Sequence, residues 1–276
     1  MTGAGAAFRA ELSDLAKHPL VWLGVGGTVA AGWGASGFLD ADANAYLRFE
    51  IAARFGAGVA AFFLMTLAAL SVAADRTRGT TRWVFARPVS RTGIVLGKAG
   101  ALALFTVLFF GVCVTTAYAI GAPAGFTDIR PGEEALSGFE FGDDAPIEEE
   151  FQAATMRRNM WEAAWMLLPA LLTVTGLGLA VSCLLRSSAG AVIVGLAMLP
   201  PVYFLAEVMG VAERHAHLLP FRAARHLLSQ LEVFAEGYST GDWPEYGVGA
   251  WLVASLVALG LPVAGALIFS RLDLTE

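Results

Sequence analysis

The chain has 276 residues, of which 57% are hydrophobic and 15% are charged, and its formal net charge is −6. Since a soluble globular domain carries roughly 25% charged residues, this composition excludes an ordinary soluble domain. No long basic stripe with stacking aromatic residues is present, so the sequence predicts no nucleic-acid partner. Cys113 and Cys183 lie inside apolar stretches and indicate neither a disulfide framework nor a metal pair.

The first predicted element is an amphipathic helix over residues 5–18. Phe8, Leu12 and Leu15 recur on one face at helical spacing, which is typical of a helix that lies in the membrane interface. The charged residues are predicted to face elsewhere: Arg9, Glu11, Asp14 and Lys17. Pro19 then marks the turn into the membrane. The alternative for residues 1–19 is a solvated tail.

Six apolar segments follow, and each is close to or longer than the ~20 residues that cross the hydrocarbon core of a bilayer. They are residues 20–39, 51–74, 94–121, 161–185, 189–209 and 248–270. The sequence therefore predicts an all-α, polytopic membrane protein whose residues 1–276 form a single transmembrane domain.

The direction of the spans follows from the distribution of lysine and arginine, which favour the cytoplasmic side. One side holds ten of the 18 basic residues and five of the 24 acidic ones. Its segments are residues 1–19, 75–98, 186 and 271–276. Both termini and the 75–93 loop are thus predicted to be cytoplasmic, in a multi-pass protein of the inner membrane.

The predicted extracytoplasmic segments are residues 122–160 and 210–246. In the first, Asp144 is a suitable N-cap and Pro146 suits the first turn of a helix. In the second, Pro220 begins an amphipathic helix that Gly237 would end. Its apolar face comprises Phe221, Ala224, Leu228, Leu231 and Ala235.

Charged residues at membrane depth are candidate functional residues, and Arg54, Glu162 and Glu207 are the three predicted here. The ordinary alternative is that they pair or snorkel near the outer ends of their spans. His215 and His217 form an H-A-H pair, but no further metal ligand stands at a suitable spacing. The sequence therefore predicts no catalytic residue, no metal and no bound cofactor.

The stretch DRTRGTTRWVFARPVSR, residues 75–91, combines five arginines with Trp83 and Phe85. Such a stretch can serve four roles: topology, lipid headgroup binding, nucleotide binding, and docking of a cytoplasmic partner. The nearby GIVLGKAG, residues 93–100, has the wrong spacing for a phosphate loop, which excludes the nucleotide. Lys98 is instead predicted to snorkel to the inner interface. A loop that supplied only positive charge would not need Trp83 and Phe85. Their presence therefore favours docking of a partner.

Residues 75–98 resemble the signature of the ABC type-2 transporter permeases, particularly the branch that serves nitrous oxide reductase maturation. That signature reads E-R-E-x-G-T, then L-L-S-x-P-V-S-R, then G-K. The matching residues are Gly79, Thr80, Pro88, Val89, Ser90, Arg91, Gly97 and Lys98. Asp75 and Thr77 stand where the signature has glutamates.

The resemblance implies a membrane-spanning permease subunit with an N-terminal elbow helix and a cytoplasmic coupling helix at 75–93. The coupling helix would dock on a separate ABC ATPase that holds the ATP and magnesium, so this chain would not be an enzyme. A second permease copy, in a homodimer, would complete the complex, which would drive substrate export or conformational signalling. The implied ATPase contacts are Asp75, Arg76, Arg78, Gly79, Thr80, Arg82, Trp83, Phe85, Arg87, Pro88 and Arg91.

Two alternatives remain open at this stage. A self-contained secondary transporter or channel would need a charged, broken-helix site at mid-membrane, and the spans show no obvious one. A non-transporting mechanical relay would bind an extracytoplasmic partner through residues 122–160 and 210–246, and it would share the ATPase docking.

Overall fold

Helices account for the regular secondary structure in the described part of this computed structural model. It describes residues 3–40, 42–77, 91–129, 152–208, 220–236, 243–244 and 247–271. Within these ranges lie eight α-helices: α1 (Gly3–Lys17), α2 (Pro19–Ser36), α3 (Ala45–Thr77), α4 (Arg91–Gly121), α5 (Ala153–Leu184), α6 (Ser188–Val208), α7 (Pro220–Ala235) and α8 (Gly247–Arg271). A 3-10 turn, Ala122–Ala124, follows α4.

Four helical stretches among the described residues are long and apolar enough to cross a membrane. They are Ala45–Thr77, Thr92–Ala124, Ala153–Leu184 and Trp251–Arg271. This confirms a polytopic membrane protein. The two other predicted spans correspond to α2, which is apolar but is not among these four, and to α6, whose stretch Ser188–Pro200 is apolar but shorter. The count of six spans therefore stays a prediction.

Most predicted boundaries lie within a few residues of the observed ones. His18 separates α1 from α2, and its Nδ1 accepts a hydrogen bond from the Leu20 amide at 3.3 Å. The largest differences are at two helix starts, where α3 begins at Ala45 and α5 at Ala153. The predicted helix start at Asp144 lies outside the described residues.

The centre of the bundle is the pair α3 and α5. α3 packs against α2, α4, α5 and α6, while α5 also packs against α7 and α8. Gly178 makes the central contact close, because a Cβ atom there would lie 2.9 Å from both the Met65 carbonyl oxygen and the Ala68 side chain. A larger residue would separate the two helices.

α3 has 33 residues and is therefore about 50 Å long at 1.5 Å per residue, so it reaches from one end of the bundle to the other. α1 packs along α4 and contacts the last turns of α3, which defines the α1 end. α7 packs on α5 and on the first turns of α3, which defines the α7 end. The predicted apolar face of α7 is confirmed, because its residues are buried: Phe221, Ala224, Leu228, Leu231 and Ala235.

The outer surface of the bundle is rich in exposed apolar side chains. α8 is the most peripheral of the four candidate spans, since 24% of its apolar window is buried against 72% for α5. Its exposed side chains are Leu252, Leu256, Leu259, Val263, Leu267 and Ile268. Such a face is stable only against lipid or another protein.

Candidate functional site

The basic loop predicted as a docking element connects α3 to α4, and its residues 78–90 lie outside the described ranges. Its two stems are joined by one side chain. Lys98 Nζ, on α4, donates a hydrogen bond to the Ser71 carbonyl oxygen of α3 at 2.9 Å. The same nitrogen lies 3.1 Å from Asp75 Oδ2. The helix that enters the loop and the helix that leaves it are therefore tied together at their base.

α1 joins the same contact through Glu11, which forms an ion pair with Lys98. Ser71 Oγ donates to the other Glu11 oxygen at 2.7 Å. Lys98 is 7% exposed and Glu11 is 8% exposed, so the pair is shielded from water and each charge depends on the other. We refer to Glu11, Ser71, Asp75 and Lys98 as the Lys98 cluster.

Gly97 brings α1 close enough for this pairing. A Cβ atom at position 97 would lie 2.5 Å from the Ala4 carbonyl oxygen, 2.8 Å from the Ala7 side chain and 2.9 Å from the Phe8 amide nitrogen. Two of these atoms belong to the α1 backbone, which cannot yield as the end of a flexible side chain could. The glycine of the G-K pair is thus required for helix contact.

Gly97→Ala is expected to displace α1 from α4 and to lower the free energy of unfolding by about 1–3 kcal/mol, the usual cost of overpacking. The control is Gly111→Ala on the same helix, where an added Cβ meets nothing within 4 Å. Thermal unfolding and protease sensitivity of α1 in detergent would measure both variants. Equal behaviour of the two would contradict the assigned contact.

Arg76 connects the same end of α3 to two further helices. Its Nη2 donates to the Cys183 carbonyl oxygen at 2.8 Å and its Nη1 to the Leu185 carbonyl oxygen at 3.2 Å. These carbonyls lie at the end of α5, where a cation stabilises the unpaired oxygens and the helix dipole. The guanidinium also lies 4.5 Å from the centroid of the Phe269 ring of α8, within cation–π range.

Two hydroxyl groups strengthen the contact between α3 and the turn from α5 to α6. Thr77 Oγ1 accepts a hydrogen bond from the Ser188 amide at 3.2 Å. Ser182 Oγ accepts from the Val72 and Ala73 amides at 2.9 and 2.8 Å. Thr77, which stands where the family signature has a glutamate, therefore has its own partner in this chain.

A second charged cluster lies at the α7 end and connects α3 to α7. Arg54 Nη2 lies beside Glu50 one turn earlier on α3, and it donates to Glu232 Oε2 of α7 at 2.6 Å. Glu50 is 1% exposed. Among the described residues neither of its carboxylate oxygens has a hydrogen-bond donor of good geometry. Arg54 is thus the main neutralising group for a buried carboxylate.

Neutral hydrogen bonds support the α7 end. The Asn44 side chain donates to the Ala235 carbonyl oxygen at 2.6 Å, at the end of α7, and accepts from the Leu47 amide at the start of α3. Trp243 Nε1 donates to Glu162 Oε2 of α5 at 3.1 Å. A cavity of about 180 Å³ lies between α3, α5 and α7 beside Arg54.

The structure separates the predicted ATPase contacts into three groups. Asp75 and Arg76 contact their own chain, at the base of the loop. The other predicted ATPase contacts fall outside the described residues, apart from Arg91, whose backbone begins α4: they are Arg78, Gly79, Thr80, Arg82, Trp83, Phe85, Arg87 and Pro88. Their role in docking stays a prediction. His215 and His217 also lie outside the described part.

Of the three residues predicted at membrane depth, the structure describes the side chains of two, and these two have different partners. Arg54 is paired at the α7 end, and Glu162 accepts its bond from Trp243. Glu207 lies on α6, but its side chain is outside the described set. Arg54 and Glu162 both pair with neighbouring groups. This agrees with the ordinary alternative given in the sequence analysis, in which such residues pair or snorkel.

Two sequence interpretations are wrong. Lys98 was expected to snorkel, but it is buried against Glu11 and Asp75. Glu11 was expected to face away from the apolar side of α1, but it lies on the buried side. The spacing carried this signal, because Glu11 is three residues after Phe8 and four before Leu15, and such residues share a helix face.

Residues 40–269 match a family model described as ABC-2 family transporter protein. The match includes α3 to α7 and nearly all of α8. It begins after α1 and α2, which lie outside it. Both the loop signature and the α7 end fall inside the matched region, whereas Glu11 of the Lys98 cluster falls outside it. A comparison with curated proteins found no match.

Proposed function

The chain belongs to the ABC-2 family of transporter proteins, and on that premise we propose that it couples ATP hydrolysis by a separate ATPase to movement of its own helices. Membership of this family makes the chain a multi-pass permease, the membrane subunit of an ABC transporter. In the proposal the ATP and magnesium are held by the ATPase. The α1 end faces the cytoplasm, and both termini lie on that side of the inner membrane.

The observation that supports this proposal best is the Lys98 cluster. It joins α3 and α4, the two stems of the 75–93 coupling segment, and adds α1 to them. Separating these helices would leave charges buried without partners, at a cost of several kcal/mol. A displacement of the coupling segment would therefore move α1, α3 and α4 as a unit instead of only bending the loop.

Arg76 supplies a second route away from the coupling segment. Its bonds to the Cys183 and Leu185 carbonyls connect the end of α3 to the end of α5, and its contact with Phe269 reaches α8. α5 then extends through the bundle to the α7 end, where it packs against α7. We infer that movement of the coupling segment reaches the opposite side of the membrane through α5.

The proposed complex contains a second copy of this permease as well as the ATPase. The exposed apolar side chains of the bundle offer faces for that copy and for membrane lipid. Substrate export and conformational signalling to an extracytoplasmic partner both fit this arrangement, since both need ATPase docking at the loop. Membership of an ABC family argues against a self-contained secondary transporter or channel.

The experiment that tests the ATPase coupling is a double substitution in the loop, Arg82→Glu with Trp83→Ala. We expect it to weaken binding of the co-purified ATPase at least about 30-fold, because arginine and tryptophan at an interface centre each contribute about 2 kcal/mol or more. Binding would be measured by pull-down from mild detergent, followed by titration of the purified ATPase.

The matched control is Arg9→Glu, which makes the same charge change on an exposed position of α1 at the same end of the bundle. It should retain the ATPase. If the loop variant binds the ATPase as the unaltered chain does, the docking assignment is wrong. If the loop variant and the control lose it together, general electrostatic attraction and not the loop is responsible.

A further inference from the structure

A cavity with a volume of about 390 Å³ lies between α4, α5 and α8. Pockets that hold small molecules measure roughly 300–1,000 Å³, so a ligand fits. Its lining is apolar except for the hydroxyl-bearing Thr175 and Ser255. Thr175 Oγ1 already bonds to the Leu171 carbonyl and to Thr106. The cavity therefore suits an apolar ligand.

The sequence creates this space in two ways. Three of the four lining residues on α4 are small, namely Ala99, Gly100 and Ala103. On α8, Pro262 has no amide hydrogen, so the Ala258 carbonyl loses its normal helical partner. Gly176 of α5 faces this carbonyl, since a Cβ there would lie 3.0 Å from the Ala258 oxygen. That contact holds α8 against α5 beside the cavity, while the small α4 residues leave the other side unfilled.

The cavity opens onto the outer surface of the bundle. Leu96, Leu259 and Val263 line it, and they are 46%, 69% and 45% exposed. In a membrane protein this surface meets hydrocarbon chains. An acyl chain from the bilayer can therefore enter the cavity without movement of a loop or helix.

A cationic residue follows the opening on α8, toward the end of that helix. Arg271 is the last residue of α8 and is exposed. It follows Val263 by eight residues, which is about 12 Å along a helix. α4 begins with another arginine, Arg91, five residues before Leu96, or about 8 Å. The end of α8 lies at the α1 end of the bundle, because Phe269 contacts Arg76 there. The start of α4 lies there too, because Gly97 packs against α1.

We propose that this cavity binds one acyl chain of an anionic phospholipid whose phosphate contacts Arg271. The apolar lining accepts the chain, and the distance from the opening to Arg271 places the phosphate at the interface, where a nearby basic residue attracts anionic lipid. The lipid is bound at the α1 end of the bundle, beside α4 and α8. This site is independent of ATPase docking.

The test uses the full chain purified in mild detergent, with native mass spectrometry and thermal unfolding as readouts. The probes are phosphatidylglycerol and phosphatidylcholine with identical acyl chains, and glycerol 3-phosphate as the headgroup alone. We expect retained phosphatidylglycerol at one per chain and no binding of glycerol 3-phosphate. Arg271→Gln should weaken phosphatidylglycerol about fivefold, the value of one basic residue near the surface, and should leave phosphatidylcholine unchanged.

Ala103→Leu fills the cavity and should abolish the retained lipid, whereas Gly111→Leu adds a similar side chain to α4 where nothing lies within 4 Å and should not. Equal retention by these two variants would overturn the proposal. So would equal affinity for the two lipids, detergent as the only bound molecule, or a cross-linked dimer through α8 that excludes lipid. If Ala103→Leu fails to fold, the exposed Arg271→Gln variant still decides the headgroup contact.

Discussion

Lys98→Met is expected to lower the free energy of unfolding by about 3–5 kcal/mol, the cost of leaving a buried charge without its partner. Glu11 would lose its only ion-pair partner among the described residues. Asp75, which is about one-third exposed, would lose less because water reaches it. Thermal and denaturant unfolding in detergent would measure the loss. Faster proteolysis within α1 would show that this helix is released first.

The control for this prediction is the double variant Glu11→Leu with Lys98→Met. Replacing both partners of a buried pair with apolar residues of similar size is often nearly neutral, so the double variant should recover most of the lost stability. A double-mutant cycle would then give a coupling energy well above the 0.5 kcal/mol seen for independent sites. If the two single substitutions are additive, Glu11 and Lys98 do not interact as the structure shows.

The Lys98 cluster can also be tested through its proposed role in passing ATP-dependent movement across the bundle. A Lys98→Met variant that still binds the ATPase but no longer passes ATP-dependent movement to the α7 end would support the route through the loop stems. Distances between spin labels on α4 and α7 would report that movement. The stability loss follows from the contacts alone, whereas the loss of transmitted movement depends on the proposed function.

Arg54→Met is expected to have a comparable effect at the opposite end, again about 3–5 kcal/mol. It would leave Glu50, which is 1% exposed, without its neutralising cation. It would also break the bond between α3 and Glu232 of α7. Hydrogen exchange should therefore show faster opening of α7, in addition to the lower unfolding temperature.

Glu232→Gln separates these two effects. It removes the bond to α7 but leaves Arg54 beside Glu50, and since Glu232 is about one-third exposed the expected cost is about 0–1 kcal/mol. Adding Glu50→Leu to Arg54→Met should recover stability without restoring the α7 contact. A large loss in Glu232→Gln would show that the interhelical bond, and not the buried carboxylate, dominates this end.

Local patterns in the sequence were sufficient for most of the helices. The i, i+3, i+4 spacing that begins at Phe221 identified the buried face of α7, because every residue in that pattern needs the same partner surface. Long apolar runs identified the four spans that meet the membrane criterion. The family signature could be recognised for a similar reason, since residues 75–98 form one continuous stretch of the sequence.

Helix lengths were predicted less well where polar residues extend a span. α3 begins at Ala45, before the predicted start at residue 51, and so includes Glu50, which apolarity alone would place outside the membrane, together with Arg54. Their pairing makes the extension stable, since a charge in such a helix needs a nearby partner. Glu50 and Arg54 are one turn apart, so this pair could have been recognised from sequence, but the third member, Glu232, could not.

The sequence by itself determined that this is a helical membrane protein with a basic loop between two long apolar helices, because composition and periodicity act on neighbouring residues. The tertiary structure alone decided which charges are buried together. Glu11 and Lys98 are 87 residues apart, and Arg76 and Cys183 are 107 apart. Such pairs form only when packing removes water from both partners at once, and no local pattern specifies which distant residues will share that space.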